Sequence, residues 1–251
     1  MIRIGIDAMG GDFAPNNVIL GVIEAFSYIS ANTKIFLIGD EKKITEVCQH
    51  YGLDSGNFVI VHAPETIEMG EHPVKAFLKK KKSSLVIGFN MLAEGKIDVL
   101  ASAGNTGAML AGSVQVLNNI PGIIRPCIPA QIPLADGRNM LLLDGGFNSD
   151  TRADVLYQFG IMGSIYAKAM MGIENPRVAL LNIGAEAEKG NIIAQEAYKI
   201  MSDSADFNFV GNMEANLLFN GGIADVLRFI VIEFISRQNF SHFGSFRVQV
   251  A

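Results

Sequence analysis

Short apolar runs alternate along this chain with longer stretches in which apolar residues recur at helical spacing. Runs of four to six residues rich in Ile, Val, Leu and Phe predict buried strands. Seven strands are predicted, at residues 3–7, 34–38, 58–62, 97–101, 140–143, 178–183 and 207–210. Because helical stretches separate them, we expect a mostly parallel sheet with helices on both faces, a three-layer α/β/α sandwich.

Three helical stretches carry the pattern most clearly. Residues 18–29 form one apolar face, with Pro15 suited to the first helical turn, and residues 155–169 form another. Residues 109–117 are apolar on nearly every side, so we expect them to be buried. We see no internal repeat and no low-complexity linker.

The segment Ser-Ala-Gly-Asn-Thr-Gly-Ala at 102–108 follows a predicted strand and opens a predicted helix. Glycines let backbone N–H groups turn inward, and the first N–H groups of a helix lack acceptors and lie at the positive end of its dipole. Ser102, Asn105 and Thr106 add side-chain donors. The segment therefore suits a phosphate-like anion, and the alternative is a tight turn with a polar helix cap.

Composition limits the functional classes. With 49% hydrophobic and 18% charged residues, the 251-residue chain is an ordered globular protein of one large or two small domains. The 20 basic and 25 acidic residues give no global attraction for nucleic acid. The mean hydropathy of +0.30 is high, yet no stretch is long and apolar enough to predict a membrane span.

Cysteine and histidine chemistry is not indicated. Cys48 and Cys127 lack the spacing of a zinc site or a disulfide framework, and no histidine has a catalytic spacing to either of them. We expect a cytoplasmic protein without a signal peptide. A dinucleotide-binding Gly-x-Gly-x-x-Gly after the first strand and a nucleotide-binding Gly-x-x-x-x-Gly-Lys loop are both missing from the sequence.

An ordered set of loops identifies a family resemblance. The set is Asp7-Ala8-Met9-Gly10-Gly11-Asp12, Gly39-Asp40, Lys81-Lys82-Ser83-Ser84, residues 102–108, Ile120-Pro121-Gly122-Ile123, Leu142-Leu143-Asp144, Met162-Gly163-Ser164, Asn175-Pro176-Arg177-Val178, Leu181-Asn182-Ile183-Gly184, Lys189-Gly190-Asn191, Val210-Gly211-Asn212 and Ala224-Asp225. In this order, the motifs resemble the bacterial phosphate acyltransferases of fatty acid and phospholipid synthesis. Each motif alone is weak, whereas their order is highly specific.

The resemblance implies an activity, a fold and partners. Such enzymes transfer a fatty acyl group from acyl carrier protein to inorganic phosphate, giving acyl phosphate, and they need no cofactor and no metal. The implied fold is a three-layer α/β/α sandwich like that of isocitrate and isopropylmalate dehydrogenases. A homodimer and loose attachment to the inner face of the cell membrane are also implied.

Site residues follow from the resemblance and from the chemistry. Phosphate oxygen attacks the thioester directly, so the protein has to position two partners and stabilise negative charge. Lys189 is the predicted catalytic cation and Asn105 the second catalytic residue. The predicted substrate-binding residues are Ser102, Gly104, Thr106, Gly107, Asp7, Gly10, Gly11, Asn148, Lys81 and Lys82.

Alternatives stay open for several of these residues. Lys189 could be an exposed lysine that opens a helix over residues 191–201, and Asn148 could complete a turn. Asp7, Asp12 and Asp144 are expected near the same sheet edge. Because carboxylates repel phosphate, we expect them to cap loop N–H groups or to orient Lys189.

The basic run at residues 79–82 has two interpretations. It could be a solvated helix end. Alternatively, because acyl carrier proteins are acidic and the net charge of this chain is −5, a local basic patch would supply the attraction that the whole chain lacks.

The chain also departs from the family pattern. Phe147 stands where relatives carry a small residue, and residues 226–251 replace an apolar strand, a glycine-rich loop and further helices. We therefore expect an acyltransferase core at residues 1–225 and a divergent or truncated tail at 226–251. Two other functions follow as alternatives: a phosphate transacetylase-like or transbutyrylase-like enzyme that uses acyl-coenzyme A, and a truncated, non-catalytic chain that binds phosphate or a partner.

Overall fold

The computed structural model of the chain describes residues 1–52, 54–144, 151–219 and 222–228. They belong to two compact units, Met1–Ile120 and a second unit that begins at Pro121. All seven predicted strands are present, and most strand pairs are parallel, which confirms the α/β class. The strands lie in two sheets, one in each unit.

The first unit contains a four-stranded parallel sheet in the order β3-β2-β1-β4. Its elements are β1 (Ile2–Asp7), α1 (Asn16–Ala25), β2 (Thr33–Gly39), α2 (Glu41–His50), β3 (Val59–His62), α3 (Pro73–Lys79), α4 (Ser84–Ala93), β4 (Val99–Ala101) and α5 (Thr106–Gly112). A 3-10 turn, Ser55–Asn57, precedes β3, and a π-helical turn, Ser113–Leu117, follows α5.

Successive side chains of β2 pack on opposite faces of the sheet, which explains the three layers of this unit. Leu37 packs in a cluster with Ile19 of α1 and Ile44 of α2. Its neighbour Ile38 packs instead with Phe89 of α4 and the core around it. Since successive strand side chains point to opposite faces, helices cover both faces of this sheet.

The second unit contains a five-stranded sheet in the order β5-β6-β9-β7-β8, in which only the described pair β5–β6 is antiparallel. Its elements are β5 (Pro129–Pro133), β6 (Asn139–Leu143), α6 (Ala153–Met171), β7 (Arg177–Asn182), α7 (Ile192–Ser202), β8 (Asn208–Glu214), a 3-10 turn (Ala215–Leu217) and β9 (Val226–Arg228). Leu156 of α6 and Ala197 of α7 pack together with Leu141 and Leu143 of β6.

Two strands were missed. β5 begins and ends with proline, which weakens the strand pattern, and β9 lies in the stretch that the sequence assigns to the tail. β9 pairs with both β6 and β7, so residues 226–228 are interior to the sheet. The division into a core at 1–225 and a divergent tail at 226–251 stays a prediction.

The expected burial of residues 109–117 is wrong for its second half. Gly112 lies so close to Phe89 and Phe77 that a methyl group there would meet their rings at 2.3 Å and 2.7 Å. The turn that follows contains no buried residue, and Leu117 is 39% exposed. Whether a helical turn is buried depends on the residues that pack against it, and the apolar composition of the turn does not specify those residues.

A repeated clasp between an arginine and an aspartate joins neighbouring strands in each unit. In the first unit the backbone N, Nε and Nη2 of Arg3 donate to the Asp98 carboxylate at 2.8, 3.0 and 2.5 Å, and Asp98 N donates back to Arg3 O at 2.8 Å. In the second unit Arg177 makes the same three bonds to Asp225 at 3.0, 2.9 and 2.9 Å, and Asp225 N donates to Arg177 O at 2.9 Å.

The clasp marks a repeated strand arrangement. β1-α1-β2 has β4 on the other side of β1, and β7-α7-β8 has β9 on the other side of β7. In both cases the aspartate directly precedes the added strand. The sequence shows no such repeat because the shared residues are few and lie far apart in the chain.

In the described part of the chain, no helix combines the length and the hydropathy that crossing a bilayer requires.

Candidate functional site

In the first unit, the loops that follow β1 and β4 meet at the carboxyl edge of the sheet. A methyl group on Gly10 would lie 2.6 Å from Asp7 Oδ2, 2.7 Å from Gly104 N and 2.8 Å from Ser102 Oγ. Gly11 has φ +103°, in the region that favours glycine, and lies against Ala103. Glycines at these positions therefore allow the two loops to touch.

Asp7 is the hydrogen-bond acceptor at this junction. Ser102 Oγ donates to Asp7 Oδ2 at 2.7 Å, and the N–H of Met9 donates to Asp7 Oδ1 at 3.0 Å. Gly104 N donates in turn to Ser102 Oγ at 3.0 Å. Burial raises the pKa of Asp7, and hydrogen bonds from Ser84, from Ser102 and from the backbone of Met9 partly oppose that rise. Asp7 is 2% exposed.

Asn105 connects this junction to a third segment, residues 66–71. Its Oδ1 caps α5 by accepting from Ala108 N at 3.0 Å. Its Nδ2 lies within hydrogen-bond distance of the carbonyl oxygens of Glu68, Met69 and Glu71, at 3.2, 3.2 and 3.1 Å. Both polar atoms of the side chain bond to backbone, so the structure gives Asn105 a role in positioning the loops. Its predicted catalytic role stays a prediction.

Thr106 and Gly107 form the first turn of α5. Thr106 is exposed, and a methyl group on Gly107 would meet Pro73 Cγ at 2.5 Å. Gly107 thus allows the N-terminal ends of α3 and α5 to approach each other. The first backbone N–H groups of a helix have no acceptor within it, and these are the donors that the predicted anion site requires.

The basic run contains one partly buried ion pair and three exposed lysines. Lys80 Nζ donates to Glu71 Oε2 at 2.5 Å and to Thr66 O at 2.6 Å, and the hydrogen bond from Lys80 lowers the pKa of Glu71. Lys79, Lys81 and Lys82 are exposed and form no salt bridge with the described residues. Lys79 ends α3, and the other two lie in the turn before α4.

Lys189 lies in the second unit, in the loop between β7 and α7, and is exposed. Its backbone is held on both sides: Lys189 N donates to Glu186 O at 3.2 Å, and Asn182 Nδ2 donates to Lys189 O at 3.0 Å. The loop is fixed further by Asn212 Nδ2, which donates to Glu186 O at 2.7 Å. The Lys189 ammonium forms no salt bridge with any described residue, so it is available to an anion.

The expected helix after Lys189 is confirmed as α7, capped by the Asn191 side chain, which accepts from Ala194 N at 2.9 Å. Asn148 and Phe147 lie outside the described residues. Asp144 is buried directly after β6, and Asp12 is exposed in the loop after β1. Cys48 is buried, and burial raises the pKa of its thiol, which opposes activation as a nucleophile.

Sequence reasoning missed three residues that hold the candidate loops. Asn182 supports the Lys189 backbone, and the Lys80–Glu71 ion pair fixes the segment that Asn105 binds. Asn182 had a signal, because a polar residue that ends an apolar strand often bonds to the loop that follows. No sequence signal marked the Lys80–Glu71 pair, because many other residues of opposite charge lie close together in the sequence.

The family profile described as fatty acid synthesis protein matches residues 2–233. The chain belongs to this family. A phosphate acyltransferase from Exiguobacterium is 44% identical over 223 residues, which cover 88% of this chain and 66% of that protein. A phosphate acyltransferase from Acetivibrio thermocellus is 46% identical over 211 residues, which cover 84% of this chain and 61% of that protein. The chain therefore spans just under two thirds of the length of these family members.

Solved structures support the fold of the family member described here. A phosphotransacetylase from Streptococcus pyogenes has a TM-score of 0.67 at 14% identity, with 92% of this chain and 78% of that chain covered. A branched-chain phosphotransacylase from Enterococcus faecalis has a TM-score of 0.63 at 18% identity, with 97% of this chain and 85% of that chain covered. At these identities the likeness is one of fold.

Proposed function

We propose that this chain transfers a fatty acyl group from acyl carrier protein to inorganic phosphate and so forms acyl phosphate. The observation that carries the proposal is the match of the fatty acid synthesis family across residues 2–233, which includes every described loop of the candidate site. The relatives named phosphate acyltransferase support the same reaction.

The chemistry requires no protein nucleophile and no cofactor. A phosphate oxygen attacks the thioester carbonyl carbon, a tetrahedral oxyanion forms, and the C–S bond breaks as the carrier thiolate leaves and takes up a proton. The protein supplies positioning and charge stabilisation. We assign Lys189 to the negative charge, and the loop residues Gly10, Gly11, Thr106 and Gly107 to phosphate binding.

The remaining predicted site residues are assigned around these. Ser102, Gly104 and Asp7 shape the phosphate loop, Asn105 holds it at the start of α5, and Asn148 contacts substrate. Lys81 and Lys82 bind the carrier protein.

The reaction is tested with the purified chain, inorganic phosphate and either a long-chain acyl carrier protein or the matching acyl-coenzyme A. Acyl phosphate is trapped with hydroxylamine and measured as the hydroxamate. We expect product with the carrier substrate. Preference for the coenzyme A substrate would favour a transacylase of the kind found among the structural neighbours. A folded chain that forms no product with either would contradict the acyltransferase proposal and leave the non-catalytic alternative.

A charge-reversal pair tests the docking role of the basic run. In the double variant Lys81→Glu and Lys82→Glu, we expect the KM for the acylated carrier protein to rise about tenfold at low salt. The two lysines attract an acidic partner, whereas two glutamates would repel it. The KM for phosphate is expected to stay the same. Initial rates measured at 50 mM and 300 mM salt check this, because screening is expected to shrink the difference.

The matched control is the double variant Lys42→Glu and Lys43→Glu, which reverses the charge of two adjacent exposed lysines in the first turn of α2. This variant makes the same change in net charge. If both double variants raise the KM equally, net charge is responsible and the docking assignment is wrong.

We propose in addition that the protein is a cytoplasmic homodimer with loose attachment to the inner face of the membrane. Light scattering after size-exclusion chromatography tests the dimer, and co-sedimentation with anionic phospholipid vesicles tests the attachment.

A further inference from the structure

Asp7 lies where two strand ends meet, and it bonds to both of the loops that follow them. It is the last residue of β1, and Ser102 directly follows β4. The two side chains are 2% and 3% exposed. Asp7 Oδ1 accepts from its own loop through Met9 N, and Asp7 Oδ2 accepts from the other loop through Ser102 Oγ.

The direction of these hydrogen bonds depends on Asp7. Ser102 has a single hydroxyl hydrogen, and it is donated to Asp7 Oδ2 at 2.7 Å. The Ser102 oxygen then faces Gly104 N and accepts from it at 3.0 Å. Asp7 thus fixes the orientation of Ser102, and Ser102 fixes the backbone of Gly104, one residue before the cap of α5.

Gly10 covers this chain of hydrogen bonds. A methyl group there would meet Asp7 Oδ2, Ser102 Oγ and Gly104 N at 2.6–2.8 Å, so the Gly10 backbone fills the space above them. Gly104 is similarly close, because a methyl group on it would lie 3.2 Å from Gly10 Cα. Because the Asp7 and Ser102 side chains are both buried, the low local dielectric strengthens these hydrogen bonds.

We infer that Asp7 is a positioning residue, which holds the Ser102–Gly104 backbone and so fixes the loop to which phosphate binding is assigned. The inference rests on the proposed function for the identity of the anion. Asp7 itself does not contact phosphate, because Gly10 covers it and a carboxylate would repel the anion. Its effect reaches the substrate through Ser102.

The first test needs no substrate. Amide hydrogen exchange at Gly104 is compared in the wild type, Asp7→Asn and Ser102→Ala. Asp7→Asn retains the size of the side chain but can place an N–H₂ group against the Ser102 hydroxyl, which would reverse the bond. We expect exchange at Gly104 to become about tenfold faster in both variants. Asp203→Asn, a change in an exposed aspartate after α7, is the control and is expected to leave Gly104 unchanged.

The second test connects the position of the loop to phosphate. In Asp7→Asn we expect the KM for phosphate to rise about tenfold while the KM for the acyl donor changes less than twofold. Unchanged exchange at Gly104 in a folded Asp7→Asn variant would overturn the inference. Faster exchange with an unchanged KM for phosphate would overturn it as well, because the loop would then not serve phosphate.

A third measurement separates this inference from the proposed reaction. If the wild type forms no acyl phosphate, the reaction fails, and binding of inorganic phosphate is followed directly by ³¹P line broadening. Weaker phosphate binding by Asp7→Asn than by the wild type would still support the positioning role. Equal binding, or none by the wild type, would overturn it.

Discussion

Replacing Lys189 by alanine is expected to lower kcat for acyl phosphate formation about 100-fold, because the ammonium is assigned to the charge that develops as phosphate attacks the thioester. The side chain is exposed and forms no salt bridge with a described residue, so the variant is expected to unfold at the wild-type temperature. Steady-state rates with acyl carrier protein and phosphate, together with thermal unfolding curves, measure both effects.

Lys199→Ala provides the control for Lys189→Ala. Lys199 is also exposed, and it lies in the last turn of the helix that follows the Lys189 loop. We expect wild-type kcat for this control. Lys189→Arg retains the positive charge and is expected to recover part of the lost rate. Wild-type kcat in Lys189→Ala would remove Lys189 from the site while leaving the proposed reaction in place.

Strand positions were predictable from the sequence because buried parallel strands are short, continuous apolar runs. The run at residues 178–183 became β7, with each end shifted by one residue. β9 was not predictable in the same way. The structure describes three of its residues, and its place between β6 and β7 depends on pairing with strands that are distant in the sequence.

The candidate loops were also predictable, since strand–loop–helix patterns put glycine and small polar residues at the carboxyl edge of a parallel sheet. The direction of each hydrogen bond was not. Ser102 was predicted to offer its hydroxyl to an anion, whereas the structure turns it toward Asp7, 95 residues away. Local sequence contains no information about a partner at that distance. The role of Ser102 in binding substrate therefore stays a prediction.

The repeated arginine–aspartate clasp shows the same limit. Its partners are separated by 95 residues in the first unit and 48 in the second. What they share is geometric: an arginine near the start of one strand and an aspartate just before the strand added beside it. The two clasps differ in burial, however, since Asp98 is 41% exposed and Asp225 is 9% exposed. Burial should therefore decide what each one contributes to stability.

Replacing Arg177 by leucine is expected to lower the free energy of unfolding of the second unit by about 3 kcal/mol, because it leaves the buried Asp225 carboxylate without its main partner. Arg138 remains, but its Nη1 is 3.9 Å from Asp225 Oδ1. Arg3→Leu is the matched control. It removes the same two side-chain hydrogen bonds from an exposed pair, while the backbone N–H bond to the aspartate remains in both variants, and it is expected to cause a smaller loss. Urea unfolding of each variant at pH 7 measures the difference, and equal losses would contradict the role of burial.

The pH dependence of the Arg177→Leu effect identifies its cause. Burial alone would raise the pKa of Asp225, but the hydrogen bonds and charge of Arg177 outweigh burial and hold that pKa below its usual value. A carboxyl whose pKa is lowered by folding stabilises the native state above its unfolded pKa of about 3.9, and this contribution is lost as pH falls through the folded value. The difference in unfolding free energy between the wild type and Arg177→Leu should therefore be largest near pH 7 and narrow below about pH 4. A difference that stays constant across this range would mean that lost packing, rather than the ion pair, destabilises the variant.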